Sequence, residues 1–241
     1  MASTAEDPVR EAVILVHGLW LGRWAMQGLR LLLSRRGYAA QALDYRSMAQ
    51  GLDQHASRLA ARIAGLGEPL IHLVGHSLGG LVILRCLRNH GEQRIGRIVL
   101  LGTPVRACMA ARRLENMAAG ERLLGASRDI WRSLPEVFRP RRELGVIAGS
   151  RPWGAGRLVL RLPGTNDGVV RLEETEVPGM RARMVLPVSH SGMLLSTRVA
   201  REVAAFLERG AFGHEDRGAF GHEDRGAFDQ ECRGAFTRER R

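Results

Sequence analysis

The chain has 241 residues, of which 45% are hydrophobic, and this is enough for one globular domain with a buried core. All 36 basic residues are arginine, and the formal net charge is +11. A chain this basic can bind nucleic acid or an anionic surface, but no nucleic-acid-binding motif accompanies the charge. We therefore expect a solvated arginine-rich surface and no nucleic-acid partner. The three cysteines form no disulfide framework or CxxC pair, which favours a reducing compartment.

No segment of the sequence predicts export or membrane insertion. Residues 1–10 contain Glu6 and Asp7 and no apolar run, unlike a signal peptide. The longest apolar stretches are much shorter than the ~20 residues that a membrane span needs. We therefore expect a cytoplasmic protein without stable membrane insertion. The sequence leaves the oligomeric state open, with a monomer as the working expectation.

Residues 1–208 alternate short apolar runs with amphipathic stretches, which is typical of βα units. Continuous runs of β-branched and other apolar residues suit strands that are buried on both faces of a parallel sheet. The expected strands are Ala12–Val16, Ala39–Leu43, Leu70–Val74, Ile95–Leu101, Gly145–Ala148 and Ala182–Leu186. The expected helices are Trp24–Arg36, Leu52–Leu66, Gly79–Asn89 and Ser196–Glu208. This order predicts an α/β domain: an open, mostly parallel sheet of about six strands with helices on both faces.

Two segments depart from this alternation. Residues 105–143 form a long, partly helical insertion with many apolar side chains. Because ligands bind at the carboxyl ends of the strands in such sheets, this insertion is either a lid over the site or a surface hairpin that only covers the sheet. Residues 209–241 repeat an eight-residue unit that begins RGAF, and each unit carries too little apolar surface to fold. We predict that this tail is disordered.

The third predicted strand runs into the motif Gly75-His-Ser77-Leu-Gly79, and a predicted helix follows. In this strand–turn–helix context, GxSxG is the nucleophile elbow, a sharp turn that lifts a serine hydroxyl above the sheet edge. The strained backbone crowds the positions two residues away on either side, where glycine has no side chain to clash. We predict that Ser77 is a catalytic nucleophile. The alternative is a tight βα turn without chemistry.

A serine nucleophile needs a general base, and the base needs an orienting acid, which both follow the serine in this fold. His190 comes directly after the sixth predicted strand, at the sheet edge where the site is expected, and is assigned as the base. Asp167, in the polar loop 164–168, is the expected acid, although an Asp-Gly pair is also an ordinary turn signal. Glu173 and Glu174 are the fallback acids.

Two backbone N–H groups must stabilise the negative oxygen of the reaction intermediate, in an oxyanion hole. Leu78, the residue after the nucleophile, is expected to supply one of them. The loop after the first strand, His17-Gly-Leu-Trp20, is expected to supply the other, with Leu19 preferred to Trp20. His17 precedes the serine, so we expect it to brace this loop through a hydrogen bond.

Together, these motifs resemble those of the bacterial lipases and esterases of the α/β-hydrolase superfamily, and the small lipases with a six-stranded sheet above all. The resemblance spans residues 10–208 and rests on HGLW at 17–20, GHSLGG at 75–80, NDGVV at 166–170 and SHSG at 189–192. It implies a minimal α/β-hydrolase fold without a metal or a cofactor. It also implies a triad of Ser77, Asp167 and His190, with oxyanion donors Leu19 and Leu78.

The predicted function is hydrolysis of a small or lipidic carboxylic ester through an acyl-enzyme intermediate. The same residues would serve an amidase or a thioesterase, because the sequence does not identify the leaving group. A ligand-binding protein that keeps the fold without turnover is an alternative from another class.

Overall fold

The computed structural model of the chain describes residues 11–91, 93–132, 140–153 and 162–213. Six strands form one sheet in the order β2-β1-β3-β4-β5-β6, and every neighbouring pair is parallel. The predicted open parallel sheet is therefore confirmed, and the strand ends lie within two residues of the predicted ones. The strands are β1 Ala12–Val16, β2 Ala39–Ala42, β3 Ile71–His76, β4 Ile95–Leu101, β5 Leu144–Gly149 and β6 Ala182–Leu186.

The four predicted helices also form, and three more lie in the insertion. The predicted helix Trp24–Arg36 is a short 3-10 turn followed by a regular helix. None of the helices in the described ranges is both long and apolar enough to cross a membrane. The α-helices in the described ranges are α1 Gln27–Arg35, α2 Leu52–Ala64, α3 Leu78–His90, α4 Met109–Glu115, α5 Gly120–Leu124, α6 Arg128–Arg132 and α7 Thr197–Arg209.

Two buried clusters lie on opposite faces of the sheet. Along β1, Ala12, Ile14 and Val16 belong to one cluster and Val13 and Leu15 to the other, as the two-residue period of a strand requires. The first cluster includes α2, α3 and the insertion, and the second includes α1 and α7. The central strands are thus buried on both faces, which is why their sequences are continuously apolar.

The described part of the insertion contains α4, α5 and α6, and residues 133–139 lie outside the described residues. Its contacts with the rest of the domain include three hydrogen bonds at or near these helices. The Ala126 N–H donates to the Met48 carbonyl at 2.9 Å. The Trp20 indole donates to the Leu123 carbonyl at 2.7 Å, and a Glu174 carboxylate oxygen accepts from the N–H of Met109 at 2.8 Å.

The packed domain continues past Glu208 into the first repeat unit. Helix α7 ends at Gly210, whose φ of 72° is left-handed. Phe212 then returns to the domain and packs on Phe206, with 5.0 Å between ring centroids. The rest of the predicted disordered tail, residues 214–241, lies outside the described residues.

Candidate active site

Ser77 occupies the turn between β3 and α3 in a strained backbone conformation. Its φ is 54° and its ψ is −122°, outside the regions that L residues favour. The Ser77 N–H donates to the carbonyl of Leu101 on β4 at 2.9 Å. Since α3 begins at Leu78, the N–H of Leu78 has no acceptor within the helix, whereas the N–H of Gly80 donates to the Ser77 carbonyl at 3.0 Å. The turn therefore presents a hydroxyl beside a backbone donor that the helix does not use.

The glycines of the motif allow a close approach between chain segments. A Cβ added to Gly79 would lie 2.1 Å from the carbonyl oxygen of Val16 on β1. A Cβ added to Gly75 would lie 2.6 Å from the Cα of Gly80. Neither distance is compatible with a side chain, so the elbow packs against β1 only because these positions are glycine.

His190 and Asp167 contact each other directly. The Nδ1–H of His190 donates to Asp167 Oδ2 at 2.7 Å, and the backbone N–H of His190 donates to the Asp167 carbonyl at 2.9 Å. The other carboxylate oxygen accepts from the N–H groups of Val169 and Val170 at 2.9 and 2.7 Å. Because Nδ1 carries the proton in the neutral ring, Nε2 is left as the acceptor, which is the tautomer of a general base.

The carboxyl group of Asp167 is buried, with 1% exposure. Burial alone would raise its pKa, but the neighbouring His190 and the hydrogen bonds from His190, Val170 and Val169 outweigh burial and lower the pKa below its ordinary value. The carboxylate therefore stays ionised at neutral pH and accepts the hydrogen bond that orients the imidazole.

Three of the predicted residues, Ser77, His190 and Leu19, line one cavity of about 330 Å³ at the carboxyl ends of the strands. Asp167 contacts His190, and Leu78 is the first residue of α3. A Cβ added to Gly18 would lie 3.1 Å from the Cβ of Ser77, so the loop after β1 passes close to Ser77. In the described ranges, no group of three metal-ligating side chains is arranged to hold a metal ion.

Two aromatic side chains brace the loop after β1. His17 makes the expected hydrogen bond, from Nδ1–H to the carbonyl of Gly18 at 2.9 Å. The Tyr45 hydroxyl, which sequence reasoning did not identify, donates to the carbonyl of His17 at 2.5 Å, and the two rings stack at 4.3 Å. Burial lowers the pKa of His17. The loop that carries Leu19 is therefore held by a neutral histidine and a tyrosine.

His76 is a second residue that sequence reasoning missed. It lies inside the GxSxG motif, at a position for which the motif sets no requirement. Its Nε2–H donates to the carbonyl of His190 at 3.0 Å, and the two ring centroids are 4.7 Å apart. Burial, and then the neighbouring His190, lowers the pKa of His76 to about 3, so the ring is neutral. His76 thus ties the elbow to the loop of the base.

The fallback acids do not contact His190. Glu174 is buried, and its two oxygens accept from the N–H groups of Met109 and Arg171 at 2.8 and 2.9 Å. Burial raises its pKa. Glu173 pairs with Arg171 at 2.5 Å. The carboxylate that reaches the imidazole is that of Asp167.

Solved structures with a similar fold include esterases and lipases. The structure superimposes on the mature lipase BlEst2 of Bacillus licheniformis with a TM-score of 0.67 and 20% identity, covering 86% of this chain and 94% of that chain. It superimposes on the metagenomic carboxyl esterase MGS0156 with a TM-score of 0.61 and 18% identity, covering 76% of this chain and 65% of that chain. Likeness at this level of identity establishes the fold.

Two curated proteins match parts of the sequence. A non-heme haloperoxidase of Rhodococcus erythropolis is 32% identical over 98 residues, which are 37% of this chain and 36% of the relative. Methylesterase 8 of Arabidopsis thaliana is 32% identical over 91 residues, a third of each chain (33% and 33%). The matches thus span about a third of the length of each relative.

The family comparison covers far more of the sequence. The alpha/beta hydrolase family matches residues 13–231, which include the sheet except Ala12 and all the described residues that line the cavity. The strand order and the turn at Ser77 agree with that match. The protein is therefore a member of the alpha/beta hydrolase family.

Proposed function

We propose that the protein is a carboxylic ester hydrolase, an esterase or lipase, in which Ser77 is the nucleophile, His190 the general base and Asp167 the orienting acid. The observation that supports this most is the 2.7 Å contact between His190 Nδ1 and Asp167 Oδ2 beside a cavity that Ser77 also lines. The names of the structural relatives, a lipase and a carboxyl esterase, agree with the proposal.

The reaction proceeds in two acyl transfers. His190 Nε2 takes the hydroxyl proton of Ser77 while Oγ attacks the ester carbonyl carbon, and the carbonyl oxygen becomes an oxyanion. The N–H groups of Leu78 and Leu19 donate to that oxygen. His190 then protonates the departing alcohol oxygen as the C–O bond breaks. Water attacks the acyl-serine by the same route and releases the acid, while Asp167 stabilises the transient imidazolium.

The cavity favours an uncharged substrate. Among the described residues, its lining includes no Arg, Asp or Glu, although these make up a quarter of the chain. Most of the lining is aliphatic or aromatic, and its polar groups lie around Ser77 and His190. A charged group would lose its hydration here without gaining a partner, which is costly. The substrate is therefore a neutral ester with an apolar group.

Release of p-nitrophenol from acetyl, butyryl and octanoyl esters tests the proposal. Wild type is expected to hydrolyse at least one of them, and Ser77→Ala to lose about a thousandfold or more in kcat, because the triad acts as a unit. Ser57→Ala, which removes an exposed hydroxyl on α2, is the matched control and is expected to keep wild-type rates. Folded wild type without hydrolysis of any of the three, or equal rates in Ser77→Ala, would contradict the proposal.

A further inference from the structure

The insertion forms one wall of the cavity. The described insertion residues in this wall are uncharged and, apart from the half-buried Leu114, buried. The indole of Trp131 is the largest side chain in this wall and is 5% exposed. The wall residues are Cys108, Ala110, Ala111, Leu114, Leu124 and Trp131.

A buried serine beneath the wall holds the indole in place. The Trp131 Nε1–H donates to the Ser127 hydroxyl oxygen at 3.2 Å, and that hydroxyl donates to the Leu124 carbonyl at 2.6 Å. Ser127 is fully buried and does not line the cavity. An indole N–H can only donate, and when it is buried it needs an acceptor. Any rotation of the indole away from Ser127 would therefore leave its N–H unpaired.

The same segment is attached to the domain from two other directions. The N–H of Ala126, next to Ser127, donates to the carbonyl of Met48 at 2.9 Å. The carbonyl of Leu123 accepts from the indole of Trp20, which belongs to the loop after β1. The position of the wall is thus set by contacts within the protein, and a ligand has to fit the space that remains.

We propose that Trp131, held by Ser127, sets the upper size of the apolar group that the cavity accepts, so that the substrates are esters of short to medium length and long-chain lipids are excluded. If each non-hydrogen atom takes about 30 Å³, the share of a water molecule in the liquid, the cavity of about 330 Å³ holds roughly ten such atoms. The identity of the bond that is cleaved rests on the proposed function, whereas the size limit is a property of the cavity.

The test measures turnover and binding separately. Turnover is kcat/KM for p-nitrophenyl butyrate, octanoate and dodecanoate. Binding is the Kd of the same esters for the Ser77→Ala variant, in which they are not consumed. With the wild-type cavity, we expect kcat/KM for dodecanoate to lie about tenfold or more below that of the best ester, since a single methylene that an apolar pocket does not accommodate costs about tenfold or more.

Three variants locate the limit. Ser127→Ala removes the acceptor of the indole without changing a residue of the cavity lining. In this variant, kcat/KM and affinity are expected to decline only at longer acyl chains. Ser127→Thr keeps the hydroxyl and is expected to keep the wild-type profile. Ala111→Leu fills part of the cavity, so kcat/KM and affinity are expected to decline already at shorter acyl chains. Ser47→Ala, which removes a buried hydroxyl outside the lining, is the matched control.

Each outcome decides between the two proposals. An unchanged chain-length profile in folded Ser127→Ala, in both turnover and binding, would overturn the size limit. If Ser127→Ala fails to unfold cooperatively, an unchanged profile in Ala111→Leu overturns it instead. If wild type hydrolyses no ester but the Kd profile still shifts in the expected directions, the size limit stands and the proposed function fails.

Discussion

At the scale of single residues, His190 is held through its ring and through its backbone. Its ring and its N–H donate to Asp167, and its carbonyl accepts from His76. The last contact joins residues 114 positions apart in the chain, and no local pattern signals it. Asp167 and His190 could be predicted because the chain order and the strand ends restrict the choice, whereas His76 became visible only when the loops were in place.

The buried neutral His76 makes stability depend on pH. The folded pKa is about 3 and the unfolded pKa is about 6.5, so between these values the unfolded chain binds a proton that the folded chain does not. The free energy of unfolding therefore falls as the pH falls through this window, and His76 accounts for about 2–3 kcal/mol of the loss at pH 4.5.

Urea unfolding at pH 7 and pH 4.5 measures this loss. His76→Gln keeps an N–H donor but does not titrate, so its free energy of unfolding is expected to fall less between pH 7 and pH 4.5 than that of wild type. Part of the decrease remains because burial also lowers the pKa of His17 and His55. His90→Gln, at the exposed end of α3, is the control and is expected to behave as wild type. An equal fall in His76→Gln and wild type would be evidence against the assigned pKa.

At the scale of elements, the strands and long helices could be predicted because each depends on local periodicity and on burial of its own residues. The insertion is different. Its apolar content was evident, but the sequence left open whether it overhangs the site or merely covers the sheet. The answer depends on contacts with distant loops, such as those of Leu123 with Trp20 and of Ala126 with Met48. These contacts place α4, α5 and α6 beside the cavity.

Glu174 connects α4 to the loop of the acid, and its loss is expected to loosen both. Glu174→Ala leaves the N–H groups of Met109 and Arg171 without their acceptors, which is expected to lower the free energy of unfolding by about 1–3 kcal/mol. Glu173→Ala breaks an exposed ion pair and is expected to cost less than about 1 kcal/mol. Urea unfolding of both variants measures the difference. Equal losses would show that the buried carboxylate does not join the two segments.

At the scale of the whole molecule, the domain does not end where the repeat begins. The first repeat unit contributes Phe212 to the buried cluster around α7, and the Gly213 N–H donates to a Glu202 oxygen at 2.6 Å. An eight-residue unit with one phenylalanine carries too little apolar surface to fold by itself. Residues 209–213 are packed because the domain supplies the surface that covers Phe212.

Phe212→Ala and a truncation after Gly213 test this boundary together. Phe212→Ala is expected to lower the free energy of unfolding by about 3 kcal/mol, as for other buried phenylalanines. The truncated chain is expected to keep wild-type stability, because the domain contacts of the first unit remain. Thermal or urea unfolding of the two proteins measures both effects. A truncated chain as unstable as Phe212→Ala would place residues 214–241 within the folded domain.

The sequence by itself determined the parallel α/β architecture and the strained serine turn, because both arise from neighbouring residues: continuous apolar runs, helical periodicity and glycines beside Ser77. Only the tertiary structure decided which loops share the cavity, which carboxylate contacts His190 and which insertion residues form the wall of the cavity. Those features depend on the order of strands in the sheet, which brings the loops after β1, β3, β4, β5 and β6 to one edge. No local pattern encodes the distances between loops so far apart in the chain.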